Sequence, residues 1–174
     1  MKKLTLLLLI PILSFGQIIK EGSRQIHLDF HTSGLIKNIG ENFSKEQFKK
    51  ALKIGNVNSI NIFGKGHHGY SYYNTKIGTR HPHLKFDLLK EQIEACHEMG
   101  VTAQVYFTVG WSQKDADDHP EWILKDKNGT TNKLEILKKL GPNDRLPNFT
   151  WRLLAPSNGY DEYILKQVEE ICMN

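Results

Sequence analysis

Apolar and polar positions along this chain switch between two periods, and the switches mark out elements. Gln25-Ile26-His27-Leu28-Asp29-Phe30-His31 alternates, the period of a strand. Ser44-Lys45-Glu46-Gln47 has the capping-box pattern that opens a helix, and Phe48, Ala51 and Leu52 give that helix an apolar stripe. Gly55 stands where a C-terminal cap belongs. Val57 to Phe63 reads as a second strand. Asp87 caps the next helix, with Leu88, Leu89, Ile93 and Cys96 along one side and Gly100 at its end. Val101 to Val109 reads as a third strand. A long excursion follows, containing His119-Pro120-Glu121-Trp122 and Gly129. From Tyr160 onward, Tyr163, Ile164, Val168, Ile171 and Cys172 recur at helical spacing.

The order is therefore strand, helix, strand, helix, strand, excursion, helix. A helix, a glycine, a short link and a strand occur together at Gly55 and again at Gly100. This is a βα repeat with parallel strands, and the class is α/β. A parallel sheet can be open and doubly wound, or closed as a barrel. No glycine-rich phosphate fingerprint follows the first strand, and polar and aromatic residues gather after all three strands. Both features favour a barrel whose loops ring an active site. A (β/α)8 barrel takes about 250 residues. Three strands in 174 residues lead us to expect the N-terminal part of a (β/α)8 TIM barrel, about three βα units, truncated.

The first residues change the picture of location. Met1-Lys2-Lys3 is a basic start, Leu4 to Leu13 is almost wholly apolar, and Ser14-Phe15-Gly16 offers small residues before Gln17. Residues 1–16 read as a cleavable signal peptide, too short for a membrane span. Residues 17–174 form the remaining domain, expected to be secreted or periplasmic. No cysteine follows closely, so no stable membrane anchor is expected. Removing Lys2 and Lys3 lowers the formal charge from +4 to +2. Without a basic face interleaved with aromatics, nucleic acid is not an expected partner. Cys96 and Cys172 are too few for a disulfide framework, and both read as small buried hydrophobes.

Candidate chemistry sits at the strand ends. Asp29 and His31 are two apart on strand one and share a face. The loop after strand two, Gly64-Lys65-Gly66-His67-His68-Gly69-Tyr70-Ser71-Tyr72-Tyr73, carries two adjacent imidazoles and several phenols. Strand three ends in Thr108-Val109-Gly110-Trp111, and Trp111 is a plausible stacking platform. Imidazole, carboxylate and aromatic faces suit a sugar, which offers hydroxyls at its rim and C–H on its faces. Asp29, His31, His67, His68, Tyr72 and Trp111 are the expected sugar-binding residues. His81-Pro82-His83 reads as loop structure. Trp122 reads as an anchor for the excursion, Trp151 carries no local signal, and Asp115, Asp117, Asp118 and Glu121 read as solvated. His27, Asp29 and His31 also form a His-carboxylate-His set, so a metal-dependent barrel hydrolase is an alternative. Otherwise no metal and no cofactor is implied. Glycoside hydrolysis needs two carboxylates, and no convincing pair is present. No Gly-x-Ser-x-Gly elbow occurs.

Asp29-Phe30-His31-Thr32-Ser33, the segment 64–75, His81-Pro82-His83-Leu84-Lys85-Phe86-Asp87-Leu88-Leu89, and Val109-Gly110-Trp111 with His119-Pro120-Glu121-Trp122 together resemble the bacterial hypothetical glycosyl hydrolase family, often described as α-L-fucosidase-like. The resemblance runs from about Gln25 to the C-terminus. It implies a (β/α)8 barrel acting on glycosides. The adjacent histidines resemble the paired histidines of α-L-fucosidases, which would make His67 and His68, with His31, sugar contacts. In barrels of these types the catalytic carboxylates lie on strand four and later, so here they are expected beyond Asn174. A β-galactosidase-type trimerisation domain is expected in the full-length protein, making a homo-oligomer. The expected function is thus a fragment of a secreted glycoside hydrolase, α-L-fucosidase-like or β-galactosidase-like. A non-catalytic sugar-binding fragment or gene remnant is a further alternative.

Overall fold

The structure is a computed structural model that describes residues 23–125, 127–129, 151–156 and 159–173. The expected signal peptide, residues 1–16, lies outside the described residues. Three strands form the centre of the sheet: β1 (Gln25–His27), β2 (Ser59–Lys65) and β5 (Thr102–Phe107). All are parallel, with β2 in the middle. Ile26, Ile60 and Ala103 are in register, as are His27, Asn61 and Gln104. After β2 the chain doubles back as β3 (Tyr70–Ser71), antiparallel to β2, and β4 (Thr79–Arg80) pairs with β3.

Helices α1 (Lys45–Ile54) and α2 (Leu88–Glu98) connect the parallel strands, so the expected βα order is observed. Both helices start where the sequence places caps. The Ser44 hydroxyl accepts from the Gln47 N–H at 3.3 Å, and the Asp87 carboxylate from the Lys90 N–H at 2.9 Å. At the end of α1 the left-handed residue is Asn56, with φ 50°, while Gly55 is ordinary helix at φ −73°. Gly100 does take the left-handed conformation, φ +65°, after α2. The two helices run together under an ion-pair net, with Lys45 bridging Glu94 and Glu98, and Lys49 bridging Glu46 and Glu98.

Because side chains alternate along a strand, one row of each strand faces the helices. Ile60 and Ile62 in that row pack with Leu52, Val57, Leu89, Cys96 and Val101. The opposite row carries His27, Asn61 and Phe63 on β1 and β2, and Gln104 and Tyr106 on β5. In a closed barrel this row faces inward.

β1 is shorter than the alternating pattern predicts, for a specific reason. The Tyr72 hydroxyl donates to the Phe30 carbonyl at 2.8 Å and accepts from the Thr32 N–H at 3.0 Å. A phenol thus replaces the neighbouring strand as partner for residues 30 and 32. β2 runs two residues further than predicted, with a shift of register between Phe63 and Lys65.

The excursion holds α3 (Gln113–Asp118), a 3-10 turn (Pro120–Trp122) and, after it, α4 (Tyr160–Met173). Trp122 anchors it as expected, packed with Ala116, Ile123, Leu154, Tyr160 and Ile164. On α4 the buried stripe is Tyr160, Ile164 and Gln167, with Ile171 half-buried behind them. Cys172 lies one residue, and so about 100° of helix rotation, past Ile171, and is exposed. Its expected burial is therefore corrected, whereas Cys96 is buried.

Asp115 also departs from expectation. It is not solvated but 1% exposed, and its carboxylate meets the ammonium of Lys65, 0% exposed, at 2.6 Å. Ser112, the N-cap of α3, donates its hydroxyl to the same carboxylate at 2.7 Å, and Tyr163 of α4 donates to it at 3.2 Å. Lys65 also donates to Gln167 at 3.2 Å and lies over the rings of Phe107 and Tyr163. Burial pushes the Lys65 ammonium down from its usual range, and the Asp115 carboxylate opposes that. Removing one partner strands the other charge in the interior. Asp115→Ala is therefore expected to cost about 3–5 kcal/mol of stability, measured by urea unfolding. A loss below about 1 kcal/mol, the range of an exposed pair, would show that water reaches the site.

Candidate functional site

The site grows from the end of β2. Immediately past Lys65 the chain turns through Gly66-His67-His68-Gly69, and this turn rests on the start of α3. The Gln113 N–H donates to the His67 carbonyl at 3.0 Å, and the Lys114 N–H to the His68 carbonyl at 3.1 Å. These are two of the donors that a helix leaves unsatisfied at its N-terminus. Gly69 is needed here. Its φ is +86°, and a Cβ would stand 2.9 Å from the Lys114 nitrogen. Gly66 is needed too, since a Cβ would lie 3.0 Å from the Tyr72 hydroxyl and 3.2 Å from His31 Nδ1.

The two histidine-bearing loops then interlock. The His67 N–H donates to His31 Nδ1 at 2.9 Å, which leaves Nε2 of the neutral His31 ring as its N–H. That Nε2 faces Asp29 at 3.0 Å. The His31 and His67 rings stack with centroids 3.8 Å apart. Nε2 of His67 bonds the Tyr106 hydroxyl at 2.7 Å. Trp151 closes the group, 4.6 Å from the His67 ring, 5.3 Å from His31 and 5.6 Å from His68. It is brought there by residues 151–154, which run against 110–112: the Ser112 N–H donates to the Arg152 carbonyl and the Leu154 N–H to the Gly110 carbonyl.

Burial sets the electrostatics. The His67 imidazole is pushed from 6.5 down to about 4, first by loss of water, then by His31 and His68 nearby, with Asp29 opposing. His31 is lowered by burial and by His27, again against Asp29. His68 is lowered by burial, His31 and His81. Neutral imidazoles at neutral pH both donate and accept hydrogen bonds.

Of the six residues singled out in the sequence, the structure brings Asp29, His31, His67 and His68 together. Trp111 stands at the edge, 38% exposed and 6.5 Å from His67. Tyr72 is fully buried at 0% exposure, its hydroxyl taken up by Phe30 and Thr32. It shapes the loop that carries His31 instead of facing a ligand. Tyr106 and Trp151 were missed. Alternation along strand three puts Tyr106 in the inward row, so its signal was present. Trp151 had none, being 84 positions after His67 with nothing periodic around it. His27 packs against the Phe63 and Tyr106 rings at 5.5 and 6.0 Å. Among the described residues no group of three or more His, Cys, Asp or Glu is placed to hold a metal ion, so the His27, Asp29 and His31 metal reading has no assembled site.

The family described as hypothetical glycosyl hydrolase 6 matches residues 44–174. The structure of α-L-fucosidase isoenzyme 2 from Paenibacillus thiaminolyticus is similar at 39% identity and TM-score 0.73, over 85% of this chain and 21% of that one. The chain thus spans about a fifth of the length of that fucosidase. A hypothetical protein from Ruminiclostridium thermocellum matches at 17% identity and TM-score 0.53, over 83% of this chain and 70% of that one. A noncanonic maltogenic α-amylase from Thermotoga neapolitana matches at 18% identity and TM-score 0.50, over 83% of this chain and 35% of that one. These last two share the fold alone. None of the curated proteins matches the chain. The mixed α/β fold is that of the N-terminal region of glycosidase barrels.

A titration follows from the burial of His67. The unfolded imidazole binds its proton near 6.5 and the folded one near 4. Between those values the unfolded chain holds more protons, so its stability contribution is complete above about 6.5 and is lost as pH falls toward 4. The expected outcome is a melting temperature that drops over this window, with a smaller drop in His67→Gln. An imidazole NMR signal of His67 titrating near 6.5 would overturn it.

Proposed function

Because the chain belongs to the hypothetical glycosyl hydrolase 6 family, we propose that the imidazole cluster is the sugar-holding part of a glycoside hydrolase that takes a terminal α-L-fucose. The observation that carries this reading is the stacked His31–His67 pair, kept neutral by burial, with Asp29 at one end, Tyr106 at the other and Trp151 across it. The similar Paenibacillus enzyme is an α-L-fucosidase, which supports the choice of sugar.

The groups divide the work by chemistry. The Asp29 side chain, 70% exposed, accepts hydrogen bonds from sugar hydroxyls. The Tyr106 hydroxyl and the His68 ring offer further polar contacts at the mouth. The Trp151 ring supplies an apolar face for sugar C–H groups. His31 has both ring nitrogens engaged and acts by orienting Asp29 and the His67 turn. Cleaving a glycosidic bond takes two carboxylates, about 5–5.5 Å apart for retention or 6.5–9.5 Å for inversion. Among the described residues Asp29 is the carboxylate in contact with the cluster, so the described residues are assigned to holding the sugar.

We also place the protein outside the cytoplasm, on the basic start and apolar run of residues 1–16. Protein recovered from the medium or periplasm is expected to begin near Gln17; intact Met1-Lys2-Lys3 retained in the cytoplasm would overturn this.

The sugar-holding role is tested by titrating the chain with L-fucose while following the His67, His68 and Trp151 NMR signals. The expected result is saturable shifts in the millimolar range, abolished by Trp151→Ala, with no 4-nitrophenol released from 4-nitrophenyl α-L-fucoside. Absence of shifts removes the sugar site. Turnover would show that the chain carries its own carboxylate pair.

A further inference from the structure

A concavity of about 540 Å³ lies between the loop that follows β1 and the loop that precedes α2. None of its lining residues belongs to the imidazole cluster. Its walls are held together by one ring. His81 is 1% exposed; its Nε2–H donates to the Ser33 carbonyl at 3.0 Å, and its Nδ1 accepts from the His83 N–H at 3.2 Å. The first wall also closes tightly on the second. Gly40 has φ +70°, and a Cβ there would stand 3.1 Å from the Phe86 ring. The cavity is therefore shaped before anything enters it.

The floor is apolar. Phe43 and Phe86 lie with ring centroids 5.8 Å apart, inclined by 27°, beside the buried Ile39. The rim is charged in both senses. Lys37 and Lys85 supply donors, and Glu41 and Glu91 supply acceptors. Among the described residues none of these four side chains has a hydrogen-bond or ion-pair partner. The third lysine of the lining, Lys45, is already held by Glu94 and Glu98.

This combination selects a ligand class. An anion would meet Glu41 and Glu91, and a cation would meet Lys37 and Lys85. A hydroxyl both donates and accepts, so it satisfies either sign, and an aromatic floor takes the C–H face of a ring. We propose that this cavity is a second carbohydrate-binding site, taking a neutral sugar ring. The choice of ligand class leans on the glycoside hydrolase reading above; the site itself rests on the cavity.

The test is amide shift mapping on the whole chain with three neutral probes, lactose, maltotriose and 2′-fucosyllactose, and with sodium sulfate as the anionic control. At least one neutral probe is expected to move the Ile39, Gly40, Glu41 and Phe86 amides. Phe86→Ala is expected to weaken that binding about tenfold while leaving the L-fucose shifts at His67 unchanged. Phe86 packs against Gly40, so the rim variant Lys85→Ala/Glu91→Ala, expected to keep the wild-type melting temperature, supplies a second reading of the same loss. Neutral-probe shifts confined to the His67 cluster, or no shifts, overturn the second site, and the former leaves the proposed function standing. Sulfate shifting the cavity amides and displacing the sugars would make it an anion pocket and overturn the proposal. Cavity shifts without any at His67 uphold it and count against the first site instead.

Discussion

The buried pair of Lys65 and Asp115 is the constraint on which the rest depends. An ammonium and a carboxylate with almost no exposure stay charged only while each has the other, and their mutual distance is 2.6 Å. That requirement fixes the last residue of β2 against the first turn of α3, and Gln167 and Tyr163 bind α4 to the same point. Lys65 is followed directly by Gly66-His67-His68, so the pair also sets where the histidine turn leaves the sheet. It stands on the helix-facing side, whereas the imidazoles stand on the inward side. The fold thus separates the charges that hold the turn from the neutral rings that the turn presents.

Neutrality on the inward side has a cause that is equally physical. Three imidazoles crowd one another, and each proton would be added next to a site that has lost its water. Asp29 compensates only in part. The result is a run of hydrogen bonds, from His67 N–H to His31 and on to Asp29, with a further bond between the His67 ring and the Tyr106 hydroxyl. Preset donors and acceptors lose little freedom when a ligand binds to them.

Much of this was legible in the sequence because it is local. Ser44 and Asp87 announce their helices by capping chemistry, and Gly100 announces the end of one by its left-handed turn. The alternation of β2 and β5 separates the helix-facing isoleucines from Phe63 and Tyr106. Asp29, His31, His67 and His68 were found because strand ends are few and polar residues at them are conspicuous. What was not legible is what depends on contacts across the fold. Asp115 lies among three other acids in a polar segment, and only Lys65, 50 positions earlier, makes it an interior residue. The same holds for Tyr72, whose hydroxyl replaces a strand partner for residues 30 and 32, and for Trp151, placed by pairing with residues 110–112. No window of sequence contains both halves of these interactions.

The turn at His67 and His68 is gripped through its main chain: two carbonyls by the head of α3, one N–H by His31. The His67 ring adds its stack on His31 and its bond to Tyr106, but the main-chain bonds do not depend on which side chain the turn carries. The two positions are therefore sockets, with the backbone as the fitting and the imidazoles as the interchangeable part. Such a socket lets the ring at either position be exchanged while the main chain beneath it keeps its hydrogen bonds.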